Sequence, residues 1–180
     1  MMTIPPRAAA LALALAACTA SAPMAAPSSP VPPAGGGSRS ADETREVARL
    51  VNDHRARVGC PPLAWDDAAA RAAQSHSEDM QRRGYFSHVS PDGGNVGQRV
   101  RAAGAAWRAV AENIASGQPS AVEVVRGWLR SPGHRANIEN CTYTRQGVGK
   151  AGTLWTHVFY TPMPSSGASR ERNRLAPHSG

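Results

Sequence analysis

The stretch Gly127-Trp128-Leu129-Arg130-Ser131-Pro132-Gly133-His134-Arg135-Ala136-Asn137-Ile138 breaks one helix and at once starts another. Just upstream, Ser120-Ala121-Val122-Glu123 is a capping box, so a helix opens there and runs through Val124, Val125 and Trp128. Ser131 then has the chemistry of an N-cap. Pro132 suits the first helical position, where its missing N–H is not needed. The new turn carries His134 and Ile138.

Downstream the periodicity changes from helical to alternating. Residues 147–151 and 154–161 read as a hairpin around Gly152. In the last strand Trp155, His157 and Phe159 face one side, and Thr156, Val158 and Tyr160 the other. A short strand is expected at residues 107–110. Upstream the chain is helical. Ser40-Ala41-Asp42-Glu43 is a second capping box, after which Val47, Leu50, Val51, His54 and Val58 share a helical face. Gly59 ends that helix, and Pro61-Pro62 cannot continue it. The next helix is capped by Asp66, buries Ala69, Ala72, Ala73, His76 and Met80, and stops at Gly84. The small residues on that stripe predict close approach to another backbone layer. Residues 95–103 form a shorter helix ended by Gly104. Helices first and antiparallel strands late predict an α+β domain over residues 41–162, with helices on both faces of a small antiparallel sheet.

The flanks are of a different composition. Residues 1–22 read as an export signal, with Arg7 as a weak basic start and an apolar run of about ten residues. That run would rise only about 15 Å, half of a ~30 Å hydrocarbon core. Leu15-Ala16-Ala17-Cys18 matches a bacterial lipobox, which makes Cys18 the lipidation site and the protein a membrane-anchored lipoprotein. The alternative is ordinary cleavage after Ala22 or Ala26, although Pro23 and Pro27 follow those sites. Residues 23–40, rich in Pro, Ala, Ser and Gly, read as a tether, and residues 163–180 as a disordered basic tail. Setting Cys18 aside leaves Cys60 and Cys141, which are expected to pair in an oxidising compartment; two buried free thiols are the alternative. The formal charge of +7 comes from scattered arginines, with Lys150 the only lysine and no interleaved aromatic platform. That pattern argues against nucleic acid and for a solvated basic surface.

Standard catalytic signatures are missing: there is no G-x-S-x-G, H-E-x-x-H, C-x-x-C or phosphate-cradling glycine loop. Polar residues instead gather beside structural punctuation. Tyr85-Phe86-Ser87-His88-Val89-Ser90-Pro91-Asp92-Gly93 follows the second helix, Ala111-Glu112-Asn113-Ile114-Ala115 follows a strand, and Thr156-His157 lies in the last strand. A histidine and a glutamate brought together could bind a metal or act as an acid/base pair. A histidine in a loop is more often a structural hydrogen-bonder.

These motifs, with Gly59-Cys60-Pro61-Pro62-Leu63-Ala64-Trp65, Gly147-Val148-Gly149 and Trp155-Thr156-His157-Val158-Phe159, stand in the order of the CAP superfamily. That group comprises cysteine-rich secretory proteins, antigen 5 and pathogenesis-related 1 proteins. The chain most resembles its bacterial, SCP-like branch over residues 43–161. The resemblance implies a three-layer α-β-α sandwich with a shallow cleft. In eukaryotic members that cleft carries two histidines and two glutamates able to bind a divalent cation such as Zn²⁺ or Ca²⁺. His88 and Glu112 match the first of each. Ser131 and residue Leu154 stand at or near the other two positions and do not match. His134 is typical of the bacterial branch, and His157 stands where glutamine is usual; these two, with Thr156, complete the expected cleft residues. Two functions follow from the resemblance. The favoured one is a non-catalytic, monomeric extracellular module at the cell envelope, binding a lipid, small hydrophobic or wall-derived ligand. The alternative is a peptidase-like hydrolase in which His88 and Glu112 activate water, with or without a metal.

Overall fold

The computed structural model describes residues 36–164. The expected signal, Cys18, residues 23–35 of the tether and residues 165–180 lie outside the described residues. Helix α1 (Gly36–Arg57) begins ahead of the Ser40 capping box, so residues 36–40, expected as tether, are its first turn. Val47 and Val51 on its stripe are fully buried. Val58 lies past the helix end, no longer held to its face, and is 46% exposed. Strand β1 (Ala64–Trp65) leads into α2 (Asp67–Arg83). The Asp66 side chain caps α2 at the Ala69 N–H, and Gly84 ends it with φ 66°, the left-handed conformation that favours glycine.

Next come α3 (Val96–Ala102), β2 (Trp107–Ser116), α4 (Ala121–Arg130), α5 (Pro132–Glu139), β3 (Arg145–Ala151) and β4 (Leu154–Pro162). Ser131 sits between α4 and α5 as expected, but its side chain makes no capping hydrogen bond, and Pro132 starts α5. The sheet order is β1-β3-β4-β2, with β2 antiparallel to β4 and β4 antiparallel to β3. β1 runs parallel to β3, so the sheet is mixed where an antiparallel one was expected. A two-residue strand carries no alternation from which to read it. β2 is also longer than expected. It continues through Glu112 and Asn113, residues of low strand preference, because each has a partner on β4.

Helices cover both sheet faces, giving the α-β-α sandwich. On one face α2 lies directly on β3. A Cβ added at Gly147 would come 2.1 Å from the Ala70 amide nitrogen, and one at Gly149 2.2 Å from that of Gln74. Only glycine there, opposite Ala69 and Ala73, permits this approach. The other face, under α1, α4 and α5, is filled by large side chains, among them Trp128, Trp155, Ile138 and Phe159. The buried indole N–H groups of Trp128 and Trp155 donate to the carbonyls of Ile114 and Gln118. Cys60 and Cys141 are joined in a disulfide with Cα atoms 5.0 Å apart, which settles the pairing against free thiols. Among the described residues no helix is long and apolar enough to cross a membrane.

Candidate functional site

β2 is an edge strand, and the candidate cleft runs along it. Directly opposed residues of antiparallel strands share a face. Glu112 opposes Val158 and so turns toward α2 and α3; Asn113 opposes His157 and turns toward α5. These two neighbouring residues anchor the two walls of the cleft.

On the first wall, the loop after α2 is fastened at several points. The Tyr85 hydroxyl lies 2.7 Å from Asp79 Oδ2 and 3.1 Å from Ser90 Oγ. A tight turn brings the Gly93 N–H to the Ser90 carbonyl at 2.8 Å. Asn95 and Gln98 then form a reciprocal capping box that fixes the start of α3. One turn in, Arg99 reaches back across the loop. Its Nη1 donates to the Gly94 carbonyl (2.9 Å), and its Nη2 to the His88 carbonyl (3.0 Å) and Glu112 Oε2 (2.8 Å).

Glu112 is the centre of this wall. Its side chain is only 2% exposed, and its other oxygen, Oε1, accepts from His88 Nδ1 at 2.9 Å. With Nδ1 committed, the Nε2 of His88 is left for the cleft on a side chain that is 52% exposed. His76 of α2 lies behind, its Nε2 donating to the Ser87 carbonyl at 3.0 Å and standing 3.8 Å from Glu112 Oε1. Burial holds the His76 pKa below the usual imidazole value, against the opposing pull of the Glu112 charge.

On the second wall, Asn113 Nδ2 donates to the His134 carbonyl at 3.0 Å, and Asn137 Nδ2 donates to Asn113 Oδ1 at 2.9 Å. This fixes the start of α5 against the strand edge and leaves His134 half-buried at the cleft. Partial burial lowers the His134 pKa, and the nearby charge of His88 lowers it further. Against the second wall, between β2 and α4, lies a groove of about 340 Å³. Ile114, Ala115, Val124 and Trp128 line its apolar part, Ser131 and His134 its polar part, and Phe86, 53% exposed, stands at its lip.

Of the five expected cleft residues, His88, Glu112 and His134 meet here. Thr156 and His157 do not: both are fully buried and point to opposite sheet faces. Thr156 Oγ1 lies 2.9 Å from the Ser77 hydroxyl of α2. His157 Nε2 meets Gln146 Oε1 at 3.0 Å beneath α1. Two residues that hold the site were not anticipated. Arg99 was one arginine among many, and Asn113 stood out only as the neighbour of Glu112. A strand glutamate turned inward requires a buried cation nearby, and that requirement was the available signal for Arg99.

The donor set does not fit the divalent cation implied by the resemblance. Among the described residues no three His, Cys, Asp or Glu side chains converge as a ligand set. Both oxygens of Glu112 are engaged, one by a guanidinium that would repel an incoming cation. Leu154, near another of the expected positions, pairs in β4 with Ser116 and offers no ligand atom.

A three-layer sandwich with a histidine loop closing over a Glu-Asn edge strand is the layout of a CAP-type domain. The family model for CAP, the cysteine-rich secretory protein family, matches residues 48–154, and the chain belongs to that family. Two proteins of Bacillus subtilis (strain 168) are similar to it. YkwD is 38% identical over 117 residues, covering 64% of this chain and 46% of the relative. The membrane protein YlbC is 36% identical over 115 residues, covering 64% of this chain and 33% of the relative. The chain thus spans less than half the length of these curated relatives. Among solved structures, an extracellular protein containing an SCP domain from Bacillus anthracis str. Ames superposes with a TM-score of 0.69 at 35% identity. That match covers 74% of this chain and 45% of the other. An outer surface protein of Borrelia burgdorferi shares the fold, with a TM-score of 0.62 at 19% identity over 66% of this chain and 92% of the other.

Proposed function

We propose that the chain is an exported, monomeric CAP-domain binding module that holds a small amphipathic ligand at the cell envelope, and that it is not a hydrolase. The ligand class is a lipid, small hydrophobic or wall-derived molecule with an apolar body and a polar end. One observation carries this reading: the groove beside β2 is apolar along Ile114, Ala115, Val124 and Trp128, while the His134 imidazole and the Ser131 hydroxyl stand at its polar end. With both oxygens held by Arg99 and His88, Glu112 is a poor general base in its own right, and the metal-assisted form of the hydrolytic alternative has no converging ligand set among the described residues. The Cys60–Cys141 disulfide suits an oxidising compartment, and the Leu15–Cys18 lipobox supports tethering through Cys18.

Gly127 provides the direct test of the groove. It lines the cavity, and a Cβ there meets no atom of the described residues within 4 Å, so Gly127→Leu adds bulk without a backbone clash. A fluorescent fatty acid and a labelled muropeptide are titrated into wild type and variant. Saturable binding of one probe that weakens roughly tenfold in the variant is expected. No binding of either probe, or equal binding by both proteins, would overturn the reading. For the tether, cells given a clickable palmitate analogue should label the wild type and not Cys18→Ala.

A further inference from the structure

The mismatch between the His88–Glu112 pair and a divalent cation has a structural cause. We infer that Arg99 is the site's built-in cation: its guanidinium occupies the electrostatic role that a divalent ion would otherwise fill beside Glu112, and so keeps the cleft metal-independent. The inference concerns the positioning of the site and holds whichever ligand the groove takes.

A carboxylate that is 2% exposed must be neutralised or matched by a positive group. Arg99 Nη2 matches it at 2.8 Å, and the Arg99 side chain is itself only 13% exposed. Guanidinium does not lose its proton under any condition in which the protein is folded, so the match is permanent. It is also directional. The same group donates to the carbonyls of His88 and Gly94, at the two ends of the loop that carries the imidazole. Swinging Arg99 aside to admit a metal would strand both carbonyls and release the loop. An ion bound at His88 Nδ1 and Glu112 Oε1 would also have to displace the hydrogen bond between them while lying close to the guanidinium. Arg99 is thus a positioning residue. It holds the loop, fixes Glu112 Oε2, and leaves Oε1 to orient His88 with Nε2 outward.

The alternative is that Arg99 only ties down a loop, with no bearing on which cations the site accepts. Gain of metal binding separates the two, since a purely structural role cannot produce it. Zn²⁺ is titrated calorimetrically into wild type, His88→Ala, Arg99→Gln, Arg99→Lys and the double variant Arg99→Gln/His88→Ala. The wild-type and His88→Ala isotherms should coincide. Arg99→Gln, which keeps a hydrogen-bond donor but loses the charge, should bind Zn²⁺ roughly tenfold more tightly than wild type. That gain should vanish in the double variant and be absent from Arg99→Lys. Long-range ¹⁵N NMR should show His88 protonated at Nδ1 in the wild type and perturbed by Zn²⁺ only in Arg99→Gln. A His88-dependent Zn²⁺ site in the wild type would overturn the inference, and needs no variant at position 99 to fold. A folded Arg99→Gln protein without the gain would overturn it equally.

Discussion

Strands β2 and β4 carry two histidine clusters that use the same residue type in opposite ways. At the strand edge His88 is half-exposed, bonded through Nδ1 to a buried carboxylate, and backed by the fixed charge of Arg99. Under the sheet His157 is sealed, with the rings of Phe159 and Trp128 centred 3.9 and 5.7 Å away. Its partner is a neutral amide. Gln146 Nε2 donates to the Leu63 carbonyl at 3.1 Å, so Gln146 Oε1 must accept from His157 Nε2. His157 Nδ1 is then a bare acceptor without a partner among the described residues. Burial first, and the positive charge of Arg55 second, push its pKa down to about 3. An imidazole beside a carboxylate at the surface can contact a ligand. One locked in its neutral form beneath a sheet is architecture.

The sealed cluster should therefore be the more damaging to break, and Arg55 is its keystone. This fully buried guanidinium donates to the carbonyls of Pro61, Ile138, Asn140 and Tyr143. Arg55→Leu strands all four and should cost about 5 kcal/mol, enough to unfold a marginal domain. Urea denaturation followed by tryptophan fluorescence measures it. Retention of most of the stability would show that this cluster is as tolerant as the open one.

The disulfide closes the same region from outside, joining residues 81 apart next to two of those carbonyls. Replacing both cysteines by serine should cost about 4–5 kcal/mol in the chain-entropy model. Guanidinium melts of the double variant and the oxidised wild type provide the comparison. A loss below about 1 kcal/mol would mean that Arg55 alone closes the region.

Acid should separate the clusters more gently. His157 stays neutral in the folded protein down to about pH 3, whereas in the unfolded chain it takes up a proton near pH 6.5. The unfolded state therefore binds more protons as pH falls below 6.5. Stability then declines by about 1.4 kcal/mol per pH unit from His157 until the folded pKa is reached. His76, whose pKa is also lowered by burial, adds in the same direction. His157→Gln should flatten the slope between pH 7 and pH 5, and parallel slopes for variant and wild type would refute the assignment.

The contrast between the clusters also marks where the sequence was readable. The stripe Ala69, Ala72, Ala73, His76 and Met80 announced both its helix and its close approach to another backbone layer, though not that the layer is β3, because period and side-chain size are local properties. Alternation in β4 likewise placed Trp155, Phe159, Val158 and Tyr160 on their correct faces. What alternation could not say is which faces are wet. In an edge strand one side of the chain opens on a cleft, while in β4, flanked by β3 and β2 and covered by helices on both sides, every residue between the two ends is buried. His157 therefore read as a cleft candidate although it is sealed. Arg55 and Arg99 were hidden for a related reason. A helical arginine has the same local signature whether it meets water or four carbonyls, and only the fold brings residues 61, 138, 140 and 143 to it.

The smallest stability effect is expected at the residue most exposed to function. His88→Ala removes one hydrogen bond from a half-exposed side chain, while Arg99 continues to match Glu112. The loss should stay under about 1 kcal/mol, since a solvent-facing partner of a charge contributes little. Binding of the probe that occupies the groove should nevertheless fall, because the His88 imidazole stands near His134, which lines the polar end. A variant that melts like wild type yet binds less would place His88 in the ligand's contact surface. If instead His88→Ala destabilises the fold as strongly as Arg55→Leu, then the open cluster is architecture too, and the distinction between the two collapses.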